Sequence, residues 1–269
     1  SSSTLLSVLD DLLASAEASS NNHVLLNTSG LQGKAVSDGS DWYEKIKVAL
    51  ENSSFEAELY PVKLANGKLL HQEAMMRLRQ GSKVLRAGAV LGWAKRYDLL
   101  ADIDMTILQY CVSQLAQDPS LTIAVNLSDA SLCNVAVHYK LLAFFEAQPA
   151  TLLARLAVEF DEQHLLKQQQ FIPFVLALKK YKISVGIQRC TVAFTALSEL
   201  EQLGLDYVKI DAALIRTVAQ DDSIVMVNKI IRLSHALGLQ VIAEGVDDIK
   251  HLDGLLTIGF DGYTGLAVT

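Results

Sequence analysis

The stretch that decides the fold is His71-Gln72-Glu73-Ala74-Met75-Met76-Arg77-Leu78. It closes an apolar run that begins at Leu64 and is interrupted by Asn66-Gly67 as it would be by a tight turn. If the stretch is a strand, Glu73 and Arg77 share one face, because both positions are odd. Six later apolar runs also end in a polar or charged residue. Polar residues at successive strand ends are typical of the functional edge of a parallel β/α barrel.

Outward from this stretch, short apolar strands alternate with helical segments. Antiparallel strands are predicted at Phe55–Leu64 and Leu69–Leu78, and later strands at Leu121–Val125, Arg155–Val158, Ile183–Ile187, Tyr207–Asp211, Gln240–Ala243 and from Gly259. Helices are predicted from Asp41, with Asp41 as N-cap, and at Ala87–Ala116 in at least two pieces, Val137–Gln148, Gln163–Tyr181 with an interruption near Pro173, Thr195–Leu203, Asp222–Leu237 and Asp247–Leu256. This alternation predicts an α/β fold, a modified TIM (β/α)8 barrel with one antiparallel strand.

The composition fits one large core. The chain has 269 residues, of which 51% are hydrophobic and 20% charged, and a single barrel of about 200–250 residues is common. The net charge of −7 disfavours broad nucleic-acid binding. No apolar run reaches the roughly 18 residues that span a bilayer. Three widely spaced cysteines, Cys111, Cys133 and Cys190, lack zinc-site spacing and favour reduced cytosolic thiols.

The first 40 residues differ in character from the rest. Leu5–Ala18 has helical spacing, His23–Asn27 has the composition of a short strand, and Thr28–Ser40 is rich in Gly, Ser and Asp. A helix followed by one strand is too small to fold alone. We therefore interpret residues 1–28 as the tail of a preceding domain, 29–40 as a linker and 41–269 as the barrel.

The strand ends supply the candidate site. The residues found there are Glu73, Asn126, Glu159, Glu162, Lys209, Asp211 and Glu244, with Arg77 nearby. Carboxylates, an amide and a lysine are typical of a hard-cation or phosphate site, and not of a zinc–thiolate site. Two divalent ions held in this way could clamp both oxygens of a phosphodiester, and the lysine could activate water or neutralise the transition state.

Each of these residues also has a structural interpretation. A single carboxylate at a strand end is more often a helix cap or a solvated charge. Lys209-Ile210-Asp211 could be an ordinary ion pair, and Asn126-Leu127-Ser128 could be a cap turn or, formally, a glycosylation acceptor. The recurrence of such residues at successive strand ends is what favours a functional site.

From about Asp41 to its end, the chain resembles an EAL domain, the barrel family that binds and hydrolyses cyclic di-GMP. The matching motifs occur in order: Glu73-Ala74-Met75 with Arg77 (Met where the family has Leu), Asn126-Leu127-Ser128, Glu159-Phe160-Asp161-Glu162, Lys209-Ile210-Asp211 and Ala243-Glu244-Gly245-Val246. The first 28 residues resemble the closing helix and strand of a GGDEF domain, which commonly precedes an EAL domain.

The chain also departs from the family pattern. Active members carry Asp-Asp-Phe-Gly-Thr-Gly, with metal-binding aspartates, where this chain has Gln188-Arg189-Cys190-Thr191-Val192-Ala193. A guanidinium ~4 Å from a dication costs roughly twice the ~4 kcal/mol of a unit pair at an effective dielectric of about 20. Tyr60 replaces the Gln of the family's Gln-Pro-Ile strand, and Thr264-Gly265 replaces a Gln-Gly pair. The resemblance therefore implies that hydrolysis is lost.

Binding requires less than hydrolysis. Among degenerate members, the chain most resembles the LapD-type cyclic di-GMP receptors. The ligand-binding residues that this implies are Glu73, Arg77, Asn126, Glu159, Glu162, Gln188, Arg189, Lys209, Asp211, Glu244 and Thr264. No catalytic residue and no cofactor are expected, and Mg²⁺ or Mn²⁺ would be needed only for residual hydrolysis. Glu73, Asn126, Glu159 and Asp211 are then vestigial metal ligands.

The expected role is that of a receptor and signalling module in a membrane-bound GGDEF–EAL protein that controls adhesion or biofilm formation. The domain would be cytoplasmic, in an inner-membrane protein with upstream GGDEF-like and sensor domains. Its expected partners are cyclic di-GMP and a second copy in a homodimer, without direct nucleic acid. Two alternatives stay open: a nucleotide-independent scaffold of the CsrD type, with Tyr60 filling the pocket, and a weak cyclic di-GMP phosphodiesterase.

Overall fold

The computed structural model describes residues 39–165, 172–191, 193–194, 204–217 and 221–268. Within them the chain divides into two compact units, a smaller one of 39–58 with 75–110 and a larger one of 59–74 with 111–268. The predicted helix at Leu5–Ala18, the strand at His23–Asn27, the tail at 1–28, nearly all of the linker and the helix at Thr195–Leu203 lie outside the described residues.

The larger unit contains a closed barrel. The strands of the chain are β1 Phe55–Leu64, β2 Leu69–Gln80, β3 Lys83–Arg86, β4 Ile123–Asn126, β5 Leu156–Asp161, β6 Ser184–Cys190, β7 Tyr207–Ile210, β8 Gln240–Ala243 and β9 Gly262–Tyr263. Eight of them follow the order β1-β9-β8-β7-β6-β5-β4-β2, and a β1–β2 pairing closes the ring. Neighbours from β2 to β9 are parallel, whereas β1 runs antiparallel to β9. The predicted barrel with one antiparallel strand is confirmed.

The barrel interior is filled by side chains from its strands. Every residue of β5 and of β7 is buried, as expected for parallel strands covered on both faces. One interior layer takes one residue from each of five strands, with Leu70 packed against it: Val62, Ala124, Ala157, Tyr207 and Ile242. The barrel is therefore a packed core and not a channel, and polar residues concentrate at the carboxyl ends of its strands.

The helices connect successive strands. Their bounds are α1 Gly39–Glu51, α2 Leu91–Arg96, α3 Leu100–Gln117, α4 Asp129–Leu132, α5 Val135–Glu146, α6 Ala150–Leu153, α7 Glu162–Leu165, α8 Ile172–Lys180, α9 Ala212–Thr217, α10 Asp221–Ala236 and α11 Leu252–Ile258. Short 3-10 turns occur at Ala87–Ala89, Ile249–His251 and Leu266–Val268. None of the described helices is both long enough and apolar enough to cross a bilayer.

One predicted helix boundary needs correction. Helix α1 begins at Gly39, so Asp41 is not its N-cap but lies in the first turn, 3.6 Å from Lys45 Nζ. Pro173 lies in the first turn of α8, where a proline costs no helical hydrogen bond. The interruption predicted near Pro173 adjoins residues 166–171, which lie outside the described residues.

The smaller unit is built on aromatic packing. The Trp42 and Trp93 rings stack with centroids 6.1 Å apart and planes 9° apart. Strand β3, which the sequence did not predict because it is only four residues long, pairs antiparallel with the end of β2.

Strands β5 and β6 are longer than predicted. Strand β5 continues through Glu159 to Asp161, and β6 continues through Gln188 and Arg189 to Cys190. These polar residues belong to the strands because β5 pairs with β4 and β6, and β6 pairs with β5 and β7. Asp161 lies opposite Gln188. The charged ends are thus part of the sheet, which fixes their side chains in place.

Candidate functional site

A buried lysine joins three carboxylates at the carboxyl ends of the barrel strands. Lys209 on β7 is fully buried, and its Nζ lies 2.6 Å from Glu73 Oε2 and 2.7 Å from Glu159 Oε2. Glu244, which follows β8, brings Oε1 to 3.8 Å from the same nitrogen. We call Glu73, Glu159, Lys209 and Glu244 the lysine cluster. Four predicted site residues are thus brought together: Glu73 from the middle of β2, Glu159 and Lys209 from the last half of β5 and β7, and Glu244 from just after β8.

The electrostatics of the cluster follow from burial and pairing. Burial would lower the pKa of Lys209, but the charges of Glu159 and Glu73 outweigh it and raise that pKa. Burial would raise the pKa of Glu159, but Lys209 outweighs it and brings that pKa to about 2. For Glu244 burial prevails over Lys209 and raises the pKa to about 7. Glu244 is therefore the member that titrates near neutral pH.

Two residues that the sequence analysis did not select complete the surroundings of Glu159. The Tyr207 hydroxyl donates a hydrogen bond to Glu159 Oε1 over 2.7 Å. His71 Nε2 lies 3.4 Å from the same oxygen, and its ring is 5.2 Å from the Tyr207 ring. The sequence did contain a signal for these two residues. Positions 71 and 73 share one strand face, and so do positions 207 and 209. An aromatic residue two positions from a charge is, however, common in any strand.

Asn126 joins the cluster through its amide. It ends β4, opposite Glu159 in register, and its Nδ2 donates to Glu73 Oε1 over 3.3 Å. Its Oδ1 is buried and accepts no hydrogen bond from the described residues. A buried oxygen without a donor carries a desolvation cost, and a ligand that supplied an N–H or O–H would remove it.

Gln188 and Arg189 occupy a bulge in β6. The register with β7 shifts between Ile187 and Cys190, and Arg189 has φ of 53°, a left-handed conformation that residues other than glycine rarely adopt. The Arg189 amide donates to Glu244 Oε2 over 3.2 Å. Its guanidinium forms an ion pair with Asp161, and its side chain is 53% exposed. Two site carboxylates therefore hold this arginine at the rim.

Other predicted residues are engaged outside the cluster. Glu162 Oε2 accepts from the Thr191 amide (3.1 Å) and hydroxyl (2.7 Å). Asp211 Oδ1 accepts from the Ala213 amide (2.7 Å) at the start of α9, so this carboxylate acts as a helix cap. The structural alternative considered for a single carboxylate thus describes Asp211.

Thr264 and Arg77 likewise have protein partners. The Thr264 hydroxyl donates to the Pro61 carbonyl over 3.2 Å. In the smaller unit, Arg77 holds Glu58 through Nε (2.8 Å) and NH2 (2.6 Å), and the Arg77 side chain is 12% exposed. A phosphate contact by Arg77 would have to displace Glu58.

Most oxygens of the cluster are already engaged by protein groups. Across the described ranges, no three His, Cys, Asp or Glu side chains are placed to hold one metal ion. Glu73 and Glu159 use their oxygens on Lys209, Asn126 and Tyr207. At the neighbouring rim, Arg189 adds positive charge. The cation that Glu73 and Glu159 contact in this structure is the Lys209 ammonium.

The match to a family model agrees with this fold. The model described as "EAL domain" matches residues 43–269, which is most of the chain. The chain belongs to the EAL domain family.

Its curated relatives include two proteins of Escherichia coli K12. Cyclic di-GMP phosphodiesterase PdeF is 22% identical over 237 residues, which are 83% of this chain and 31% of the relative. Cyclic di-GMP phosphodiesterase PdeR is 26% identical over 225 residues, which are 79% and 33% of the two chains. The chain thus spans about a third of the length of these relatives.

Solved structures agree on the fold. The Vibrio cholerae LapD S helix-GGDEF-EAL fragment bound to c-di-GMP matches with a TM-score of 0.89 at 20% identity, over 100% of this chain and 66% of that chain. The FimX EAL domain from Pseudomonas aeruginosa bound to c-di-GMP matches with a TM-score of 0.76 at 20% identity, over 84% and 94% of the two chains. At this identity, the likeness concerns the fold alone.

Proposed function

We propose that this EAL domain is a receptor that binds cyclic di-GMP without hydrolysing it. The observation that carries the proposal is the lysine cluster, in which Glu73 and Glu159 hold the ammonium of Lys209. The neighbouring metal positions of active members are occupied here by Gln188 and Arg189. Structural neighbours solved with c-di-GMP, the LapD fragment and the FimX domain, support the choice of ligand.

Arg189 is the group best placed to replace a metal as the phosphate ligand. Its guanidinium carries five N–H donors in a planar fork, and it is half exposed while paired with Asp161. An arginine fork can bind two oxygens of a phosphodiester at once. A phosphate of the dinucleotide would then displace the Asp161 carboxylate from the Arg189 guanidinium, or both anions would bind the guanidinium together.

The acceptors of the pocket suit the rest of the ligand. Asn126 Oδ1 is buried and accepts no hydrogen bond from the described residues. Glu244, whose side chain is 16% exposed, faces Lys209 and the Arg189 amide. Guanine edges and ribose hydroxyls supply N–H and O–H donors, which these oxygens accept. In this role the oxygens act as hydrogen-bond acceptors, and binding is expected to leave the ligand intact.

The proposal also concerns the longer protein in which this domain would act. The LapD fragment that matches the whole of this chain includes an S helix and a GGDEF domain. We propose that the receptor belongs to an inner-membrane GGDEF–EAL protein that controls adhesion or biofilm formation. Ligand binding would favour one state of a homodimer, and a ligand shifts such an equilibrium only by its difference in affinity for the two states.

Isothermal titration of cyclic di-GMP into the protein, with and without Mg²⁺, tests the proposal. The expected result is micromolar binding of equal affinity in both buffers, with no linear dinucleotide formed. Arg232→Gln, a change at an exposed arginine of α10, is the control and should bind normally. Absence of heat in both buffers would overturn the receptor role and favour the scaffold in which Tyr60 fills the pocket.

A weak phosphodiesterase is the second candidate. The names of the curated relatives PdeF and PdeR support it, as does the buried Oδ1 of Asn126, an oxygen of the type that hard cations prefer. The test is chromatography of cyclic di-GMP after incubation at high Mn²⁺ and alkaline pH. Linear dinucleotide formed by the wild type, and absent in Glu73→Gln, would replace the receptor by the enzyme.

A further inference from the structure

Glu159 has a protein partner on each of its oxygens. Lys209 Nζ donates to Oε2 over 2.7 Å, and the Tyr207 hydroxyl donates to Oε1 over 2.7 Å. His71 lies behind the tyrosine, 2% exposed, with Nε2 3.4 Å from Oε1. The carboxylate itself is fully buried, so its direction is set by these neighbours and not by water.

The sheet is built to admit the tyrosine ring. Gly186 on β6 is the register partner of Glu159 on one side and of Tyr207 on the other. A Cβ at position 186 would come within 2.3 Å of the Tyr207 ring, closer than side-chain atoms approach. The ring therefore lies over the space that the glycine leaves open, and its hydroxyl reaches across β6 to the glutamate on β5.

We infer that Tyr207, whose ring packs over Gly186 and against His71, is a positioning residue for Glu159. Its hydrogen bond keeps the Glu159 carboxylate oriented toward Lys209, so that the pocket binds this internal ammonium in preference to a divalent cation. The inference rests on the proposed metal-independent function. This inference is separate from the replacement of the paired aspartates by Gln188 and Arg189. It concerns Glu159, a metal-ligand position at which the chain has kept the glutamate of the family motif.

The physical reason is competition for lone pairs. A cation entering beside Glu159 must take an oxygen that already accepts a hydrogen bond, and a hydrogen bond to a charged group changes an equilibrium by a factor of about 10 to 100. Tyr207→Phe removes the donor and keeps the ring on Gly186. His71→Phe keeps a ring against Tyr207 and removes the nitrogen.

Titration of Mn²⁺ alone, followed by the electron paramagnetic resonance signal of free Mn²⁺, is the direct test. Tyr207→Phe is expected to bind Mn²⁺ about 10-fold or more tightly than the wild type, and Tyr207→Phe with His71→Phe at least as tightly as the single variant. Tyr181→Phe is the matched control: this tyrosine packs on Phe145, at the end of α8, and its loss should leave Mn²⁺ affinity unchanged.

The outcome separates positioning from mere packing. A structural role for Tyr207 would lower the melting temperature and leave the Mn²⁺ affinity of the folded variant at the wild-type value, which would overturn the inference. Gly186→Ala is a second test variant, because it displaces the Tyr207 ring without removing its hydroxyl. It should show the same increase in Mn²⁺ affinity as Tyr207→Phe. Where that variant does not fold, Tyr207→Phe decides alone.

Failure of the proposed function gives a different result. It would show as absence of cyclic di-GMP binding by the wild type, in a separate titration. The Mn²⁺ measurement uses no nucleotide, so it supports or overturns the role of Tyr207 whichever way that titration ends.

Discussion

Replacing Lys209 by methionine is expected to destabilise the protein strongly at neutral pH. The ammonium is fully buried and holds two glutamates at 2.6 and 2.7 Å, and Glu159 is itself fully buried. Removing one partner of a buried ion pair leaves an uncompensated charge and typically costs about 3–5 kcal/mol. In a domain of this size, each kcal/mol lowers the melting temperature by roughly 2–4 °C, so the loss should be on the order of 10 °C.

The pH dependence makes the prediction specific. In the wild type, the pKa of Glu159 is about 2, against 4.5 ordinarily, a difference worth about 3 kcal/mol. A lowered carboxyl pKa contributes stability that is present above about pH 4.5 and is lost as the pH falls towards 2. Without Lys209, burial prevails and raises the pKa of Glu159. The variant should therefore lose stability as the pH rises, the opposite of the wild type.

Urea unfolding of Lys209→Met and wild type between about pH 2 and 8 measures both effects. Lys250→Met, at a lysine whose side chain is 84% exposed, is the matched control and should unfold like the wild type. A second variant, Lys209→Met with Glu159→Gln, should recover part of the lost stability because it removes a buried charge. A loss below about 1 kcal/mol at pH 7, or an unchanged pH slope, would refute the ion-pair reasoning.

Three further changes test other parts of the site. Arg189→Gln should weaken cyclic di-GMP binding about 10-fold in calorimetry because it removes a charged donor to phosphate, and an unchanged affinity would take Arg189 out of the pocket. The pKa of Glu244 is raised to about 7, so its burial costs stability as the pH rises from about 4.5 to 7. Glu244→Gln should accordingly raise the melting temperature more at pH 8 than at pH 5, and an equal effect at both would contradict the shift. Gly265 has φ of 147° and would bring a Cβ within 2.4 Å of the Val246 amide, so Gly265→Ala should cost about 2 kcal/mol or more in urea unfolding. Gly254→Ala, whose Cβ would meet nothing within 4 Å, should cost nothing, and equal losses would show that the close approach at Gly265 does not matter.

Selectivity against a metal would need two separate features in this site. The bulge of β6 carries a positive charge on Arg189, and Tyr207 occupies a lone pair of Glu159. The first can be read from the sequence by comparison with the family motif. The second depends on a glycine and a tyrosine on neighbouring strands, twenty-one positions apart in the chain.

The direction of Arg189 shows how far the sequence analysis reached. The sequence showed that residues 188 and 189 replace two aspartates of the family motif. It did not show where the guanidinium of Arg189 would lie. That was decided by β6, which continues three residues beyond its predicted end at Ile187 and places Arg189 in a left-handed bulge facing Asp161. Backbone conformation at a bulge depends on the neighbouring strands, because it results from a shift in their pairing.

The sequence by itself determined the barrel, its antiparallel strand and the strand-end residues that meet at Lys209. Alternation of apolar runs with helical spacing is a local property, and parallel strands bring their carboxyl ends to one edge whatever fills the barrel. The tertiary structure alone decided that Arg77 pairs with Glu58 and that Tyr207 reaches Glu159 across Gly186. Those contacts join residues that are neighbours only after the strands pair, and no local pattern specifies which of several possible partners a charged side chain takes.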